Sequence, residues 1–437
     1  MLEVVGAESL DALFEDIPEG LRLDALDLDS GLSEEDTLRV MGNLAAANHA
    51  GGADFLGGGI EHHLIPRVVD EVQGRSEFWT AYTPYQPEAS QGTLAAFFEF
   101  QTMIARLCGM DVAQSSLYDG AGAVVEAVVF AVKVTDRSTV WLGGGLSPET
   151  RRVVATVTAH MDLTVRTWPL GPDGRSLAPG TDGAPTLDDS AACLVVASPN
   201  DLGVIEDLAP FAEAAHAAGA MAVAVAHPLT LGVLAPPGDC GFDVAVGDGQ
   251  TLGVPPQFGG PGFGFFACRE DQVRSMPGRI VGETIDGEGR RGFVLTFQTR
   301  EQHIRREKAT SNICTNNALM ALRGAVHMAA LGPEGLAETG RRMYTMGHET
   351  ADRVFALDGY GPACSAPFFH EFLVRCPGGA DGAQAVHDAL TSAGVRVGAP
   401  LADRGAGFAD CLRICATEAT RVADIDTLVA GLEEAQA

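Results

Sequence analysis

The chain has 437 residues, a formal net charge of −29 and a pI near 4.6. That length gives a core that needs no disulfide staples and allows two or three domains, while the acidity argues against nucleic acid or an anionic membrane face as main partner. No apolar run approaches the ~20 residues of a membrane span, and the acidic N-terminus has no basic signal-peptide region.

Nine cysteines are scattered without a CxxC pair or a Cys/His ligand spacing, so no metal is expected from them. Their odd number suits a reducing cytoplasm. Cys411 and Cys415 are four apart but short of further ligands nearby.

Residues 1–75 read as an N-terminal helical arm. Ser9–Phe14 opens on a serine cap, and Ser33–Ala47 opens on Ser33-Glu34-Glu35-Asp36, a capping-box arrangement. Glycines cluster in 51-GGADFLGGG-59, marking a boundary or a loop packed tightly against something. Residues 60–92 mix aromatics, prolines and polar groups without clean periodicity; the tyrosines and tryptophan speak against disorder.

Residues 76–330 read as a large α/β domain. Leu94, Phe97, Phe98, Ile104 and Leu107 form a helical stripe. A helix at 123–134 is followed by alternating strands and helices: strands at 139–142, 163–168, 193–198, 221–226, 243–247 and 262–269, helices at 147–160 and 208–218. Short Val/Ala-rich strands separated by helices indicate a mostly parallel sheet covered on both faces. Residues 331–437 read as a small C-terminal α+β domain, with helices at 336–357, 382–393 and after Asp424, and strands at 369–376, 395–401 and 411–416.

Four segments are candidates for chemistry. In 118-YDGAGA-123, Asp119 caps a helix and Gly120 and Gly122 let a backbone approach an anion; the residues fit a phosphate seat or a plain cap. Residues 198–208 leave a strand at the sheet edge where α/β proteins bind ligands, and the next strand ends in His227, functional or structural, with no carboxylate. The loop 82-YTPYQPEASQG-92 is rigidified by Pro84 and Pro87, for orienting a ligand or for structure alone. The segment 300-REQHIRREKATSNICTNNAL-319 sets a basic cluster in an acidic chain, suiting an anionic ligand, an acidic partner or a solvated helix face.

The middle of the chain also reads like a pyridoxal-phosphate enzyme, which needs a lysine to hold its cofactor as a Schiff base. There are only two lysines, Lys133 and Lys308, among 29 basic residues. The glycine-rich turn 247-GDGQTLGVPPQFGGPGFG-264 has Gln250 and Thr251 where that lysine is expected. Neither forms an imine.

The stretches FWTAYTPYQPEASQGTLAAFFEFQTMIARLCGMDVAQSSLYDGA (78–121) and RGFVLTFQTREQHIRREKATSNICTN (291–316) resemble the alpha subunit, subunit 1, of the split glycine cleavage system P-protein. DALFEDIPEGLRL, FLGGG and VGDGQTLGVPPQFGGPGFGFFA fit it too, across nearly the whole chain. The resemblance implies a pyridoxal-phosphate-dependent transferase-like large domain of fold type I. It implies a glycine dehydrogenase that decarboxylates glycine and passes the aminomethyl group to the lipoyl arm of H-protein. It assigns lysine and cofactor to a beta subunit, usually in an alpha2beta2 assembly in the cytoplasm, leaving this chain inactive alone. Carried over, its motifs fall on Tyr82, Thr83, Tyr85, Gln86 and Glu88, and on Arg306, Lys308, Ser311 and Asn312, as residues facing a shared cavity or the subunit contact. No metal, nucleic acid or membrane is implied.

The chain departs from the family at Gly122, where threonine is usual, and at His227, where an acidic residue is common; its N-terminus is slightly short. Such departures fit drift in a copy relieved of cofactor binding, or a paralogous partner subunit in a specialised pathway built on a lipoyl carrier. A stand-alone pyridoxal enzyme using Lys308 and a non-catalytic scaffold are the other readings.

Overall fold

In the computed structural model the described residues are 1–23, 25–48, 51–79, 83–257, 259–314 and 316–435. They form two units, Met1–Gly51 and Gly52–Ala437.

The first unit holds short helical turns and one longer helix, Glu34–Ala46. Ser33 caps that helix by accepting from the Asp36 amide at 3.1 Å, as its sequence predicts. None of the unit's described residues is buried.

The second unit opens with β1 (Ala53–Phe55) and reaches its main layer through the Gln91–Cys108 helix. That layer is a seven-stranded sheet of β2 (Val112–Ala113), β3 (Thr139–Gly143), β4 (Thr164–Trp168), β5 (Ala191–Ser198), β6 (Met221–Ala226), β7 (Val244–Asp248) and β8 (Gly264–Cys268). Its order is β2-β8-β7-β6-β5-β3-β4. Strands β3 to β7 are mutually parallel, and β8 runs antiparallel to β7 and β2. Strands β5 and β8 are buried along their whole length, as continuous apolar runs with helices on both faces should be. The edge strand β4 is exposed up to its last residue, Trp168.

Two cores flank the sheet. Phe100, Trp168, Phe263 and Phe265 belong to one; Phe130, Val195, Val223 and Phe266 belong to the other. Alternation along β8 sends Phe265 and Phe266 to opposite faces. A hairpin follows, β9 (Ile280–Ile285) against β10 (Arg291–Thr296), in a stretch for which the sequence analysis assigned no strands.

The helix expected from Leu336 begins at Ala318 and runs to Phe355 with a kink at Gly332, whose φ of 64° precedes Pro333. Gly332 combines that positive φ with a ψ of 179°, a conformation open essentially to glycine, and this lets a new helix start at the proline. The first half packs Ala321, Ala325 and Met328 onto the large sheet; the second half puts Ala351 and Val354 into the C-terminal core.

That core lies under β11 (Gly361–Pro362), β12 (Glu371–Arg375) and β14 (Cys411–Cys415), with β13 (Val395–Val397) pairing in parallel with β1. The 395–401 strand expected from sequence stops at Val397. FLGGG then continues from β1 in close contact with β12 and β14. A Cβ on Gly57 would sit 1.8 Å from Glu371 Oε1, and the Gly58 amide donates to that same oxygen at 2.6 Å.

Candidate functional site

Strands β5, β6 and β7 end on one edge of the sheet, and the Gly120–Thr135 helix points its N-terminus at the same place. Between them lies a cavity of about 350 Å³. Gly58–Glu61, Asp119–Ala121, Asn200, His227, Asp248, Thr251 and His370 are among its lining residues. This is the position where parallel α/β sheets bind ligands.

The helix N-terminus already carries negative charge. Asp119 accepts from the Gly122 amide at 2.6 Å, and Asp248 accepts from the Gly120 amide at 2.9 Å. Asp248 also accepts from the Gln250 amide, and burial pushes its carboxyl above the usual range. Of the two readings of YDGAGA, the cap is the one formed. The amide that would meet an anion is taken by the chain's own Asp248.

Gln250 is buried and faces Glu61. Its Oε1 accepts from the Glu61 amide at 3.1 Å, while its Nε2 donates to the Glu61 carbonyl at 3.1 Å and the Val254 carbonyl at 2.5 Å. Gln250, one of the two residues standing where the lysine is expected, thus clamps the backbone of a segment nearly 190 positions earlier in the chain.

Glu61 is itself the centre of a histidine cluster. Its Oε2 lies 3.0 Å from His63 Nε2, 3.1 Å from His227 Nε2 and 2.9 Å from His370 Nε2. His63 Nδ1 lies 2.9 Å from Glu418. Burial penalises charge here, yet the imidazoles of His370 and His227 hold the Glu61 carboxyl well below its ordinary value. Burial likewise opposes a charged His63, but its bonds to Glu418 and Glu61 outweigh it and lift His63 to about 9.

Pyridoxal phosphate does not fit this cavity. No lysine lines it, and its phosphate would meet Asp119 and Asp248 at the helix N-terminus. The end of β6 offers Val225 and Ala226, and His227 is engaged with Glu61. Lys133 is 13 residues along the helix from Gly120, ~20 Å at helical rise, and its Nζ donates to the Lys308 carbonyl at 2.8 Å. Lys308 therefore sits at the wrong end of that helix to reach the cavity.

The candidate residues carried over from the YTPYQPE and REKATSN motifs lie elsewhere. None of those described lines the sheet-edge cavity. Thr83 lines a second cavity of about 220 Å³ with Arg279, Ser115 and Asn316. Arg279, almost fully buried, donates to the Tyr85 hydroxyl at 2.6 Å, lies over the Tyr85 ring and approaches Cys314 Sγ at 3.3 Å. It thereby joins the two motif segments. Ser311 is half-buried and bonds Glu126, while Gln86, Glu88, Arg306, Lys308 and Asn312 are exposed. Tyr82 lies outside the described residues. Among the described residues, Thr83 Oγ1 and both amide atoms of Gln114 are buried without a hydrogen-bond partner, while Arg279 Nε and Glu301 Oε2 face each other as an ion pair at 3.8 Å.

Sequence reasoning missed Glu61, His63, His370 and Arg279. The tandem 61-EHH-63 in an irregular segment, and His370 at the start of a strand, were the available signals.

The sequence model of the glycine cleavage system P-protein family matches residues 1–432. A probable glycine dehydrogenase (decarboxylating) subunit 1 of Thermomicrobium roseum is 45% identical, covering 100% of this chain and 97% of the relative.

The chain belongs to the glycine cleavage system P-protein family.

A second P-protein relative of the same description, from Geotalea uraniireducens, is 44% identical over 100% of this chain and 97% of its own. A crystal structure of glycine decarboxylase (P-protein) of the glycine cleavage system, in inhibitor-bound form, superposes with a TM-score of 0.91 at 45% identity, covering 100% of this chain and 97% of that one. Glutamate decarboxylase of Lactobacillus brevis shares the fold alone, at 12% identity and a TM-score of 0.70, over 97% of each chain. The fold is that of the type I pyridoxal-phosphate-dependent enzymes, as the sequence predicts.

Proposed function

We propose that this chain is the subunit of a two-chain glycine decarboxylase that does not hold the cofactor. The observation carrying this reading is Gln250, an amide locked onto the Glu61 backbone where a cofactor lysine would stand. The relatives' designation as subunit 1 of glycine dehydrogenase supports a partner that supplies the missing lysine. On that partner, pyridoxal phosphate supplies the electron sink for loss of CO2 from glycine. The aminomethyl group then passes to the lipoyl arm of H-protein, in an alpha2beta2 assembly in the cytoplasm.

This chain's own contribution is a surface that completes the partner's cavity. Buried polar groups without hydrogen-bond partners cost about 1–3 kcal/mol each, and among the described residues the Thr83 hydroxyl and the Gln114 amide are such groups. A neighbouring chain or its ligand would satisfy them. Tyr82, Thr83, Tyr85, Gln86 and Glu88, with Arg306, Lys308, Ser311 and Asn312, would face that contact. The N-terminal unit adds apolar surface: Leu21, Leu23, Leu26 and Leu28 are all more than 70% exposed. Such a run is paid for in solubility unless a partner covers it. In the assembly, residues 1–75 serve as an arm on the partner, 76–330 as the large domain and 331–437 as the small one. No helix among the described residues is long and apolar enough to cross a membrane.

The test is a mixing experiment. Arg279→Ala should bind the cognate beta chain more weakly than wild type in sedimentation and lower glycine-dependent CO2 exchange. Wild-type binding and exchange in that variant would contradict the placement of this surface.

A further inference from the structure

We propose that the sheet-edge cavity binds a small organic cation, a primary ammonium compound with a short apolar body, whose head sits against Asp119, Asp248, Thr251 and His227.

Charge on the β7 side of the cavity is unbalanced. Asp119 and Asp248 each accept from an amide in the first turn of the Gly120–Thr135 helix. A helix N-terminus carries only about half a positive charge, so two carboxylates leave this place negative. The charges acting on Asp248 are those of Asp119 and His227, and among the described residues no lysine or arginine pairs with either aspartate. Burial, and after it the charge of Asp119, push the Asp248 carboxyl above its usual range, against the amides of Gln250 and Gly120. A cation in the cavity relieves that push.

Two further atoms ask for the same ligand. Thr251 lines the cavity and is only 5% exposed, and its hydroxyl is buried without a hydrogen-bond partner among the described residues. His227 turns Nε2 to the Glu61 carboxylate, so the hydrogen is assigned to that nitrogen. Its Nδ1 is buried and bonds nothing among the described residues. A neutral imidazole that donates at one nitrogen accepts at the other. Two carboxylates, a hydroxyl oxygen and a ring nitrogen can all accept, and an ammonium group brings three donors.

On the opposite side the polar groups are already engaged. Strand β5 lies two strands from β7, roughly 10 Å away. After β5, Asn200 accepts from the Leu202 and Val204 amides and donates to Glu206, while Asp201 pairs with Arg404 and Arg413. A carboxylate on the ligand finds no free cation there, so amino acids are excluded and the ligand carries one charge. Val124, Leu146, Ala197 and Val225 line the cavity and give its body an apolar wall. A metal ion fits less well, since among the described residues neither aspartate belongs to a convergent group of three metal-binding side chains.

The full-length chain is titrated with n-butylammonium, with n-butanol as the uncharged counterpart, by ligand-observed NMR. The expected result is saturable one-to-one binding with a dissociation constant of about a millimolar or lower, and no saturable binding of n-butanol. Asp248→Asn should weaken binding roughly 10–100-fold, the worth of a bond to a charged group. Asp119→Asn keeps a helix cap and should still weaken it several-fold. Thr251→Val should weaken it roughly 2–10-fold without lowering the melting temperature, a split that a merely structural threonine would not give. Asp182→Asn, on the exposed surface, should change nothing. No saturable binding, equal binding of n-butanol, displacement by glycine or Ca2+, or wild-type affinity in both aspartate variants overturns the proposal. If Asp248→Asn fails to fold, Asp119→Asn, Thr251→Val and the n-butanol comparison still decide it. These readouts need neither partner nor turnover, so they stand apart from the decarboxylase reading.

Discussion

Replacing Gln250 with alanine should release the segment that fills the sheet-edge site. The side chain makes three hydrogen bonds, to the Glu61 amide and carbonyl at 3.1 Å each and to the Val254 carbonyl at 2.5 Å. Glu61 and Gln250 are both buried, so water does not freely replace what is lost. Stranding a buried backbone group costs about 1–3 kcal/mol. Three such groups, partly relaxed, put the loss at about 3–5 kcal/mol. The right observable is local, because a chain of this size need not unfold in one step. Gly58 and Leu64 donate their amides to Glu371 and Glu418, and neither bond involves Gln250. If Gln250 holds the whole segment, both amides should exchange hydrogen faster in the variant. A loss of ~3 kcal/mol corresponds to roughly a hundredfold. Gln302→Ala, on an exposed turn, should leave both rates unchanged. Faster exchange at Glu61 alone, with Gly58 and Leu64 at wild-type rates, would refute the idea that the clamp anchors the segment.

Gln250→Lys should not create a cofactor enzyme, because Asp248 and Asp119 still occupy the helix N-terminus; borohydride reduction with pyridoxal phosphate, followed by mass spectrometry, should show no adduct at position 250. Among the described residues nothing bonds either ring nitrogen of the buried His327, and burial pulls its pKa down from 6.5 to about 4. A depressed histidine costs nothing above its unfolded value; as pH falls from 6.5 to 4 the unfolded chain takes the proton first, and about 3 kcal/mol of stability is lost. His327→Leu should therefore lose about that much less than wild type between pH 7 and pH 4 in urea melts. Gly57→Ala should cost more than ~2 kcal/mol in thermal unfolding, since its Cβ would meet Glu371 and Cys415, whereas Gly287→Ala, with open space around it, should be near neutral.

The large sheet was legible because its strands are buried on both faces, and a run such as CLVVAS has few other readings. The hairpin of β9 and β10 was not, although Asp286-Gly287-Glu288-Gly289 between two apolar runs carries a turn signal. The glycine cluster 51–59 reads as a boundary or a tightly packed loop; the units do divide at Gly51, but the neighbours that FLGGG packs against, Glu371 and Arg413, lie more than 300 residues away. The missing lysine could be seen in one dimension. What fills its place could not, since Gln250, Glu61, His227 and His370 meet only once β6, β7 and β12 are arranged. His227 shows the limit: a lone histidine at a strand end gives no hint of a carboxylate 166 positions earlier. Arg279 was passed over for the same reason, since its burial between Tyr85 and Cys314 is a tertiary fact.

The central claim is that this chain is necessary for glycine decarboxylation and insufficient for it. Exchange of labelled bicarbonate into glycine, measured with lipoylated H-protein and pyridoxal phosphate, tests it directly. The account predicts no exchange from this chain alone, and exchange when its cognate beta chain is added. Exchange by this chain alone, or full exchange by the beta chain without it, would contradict the account.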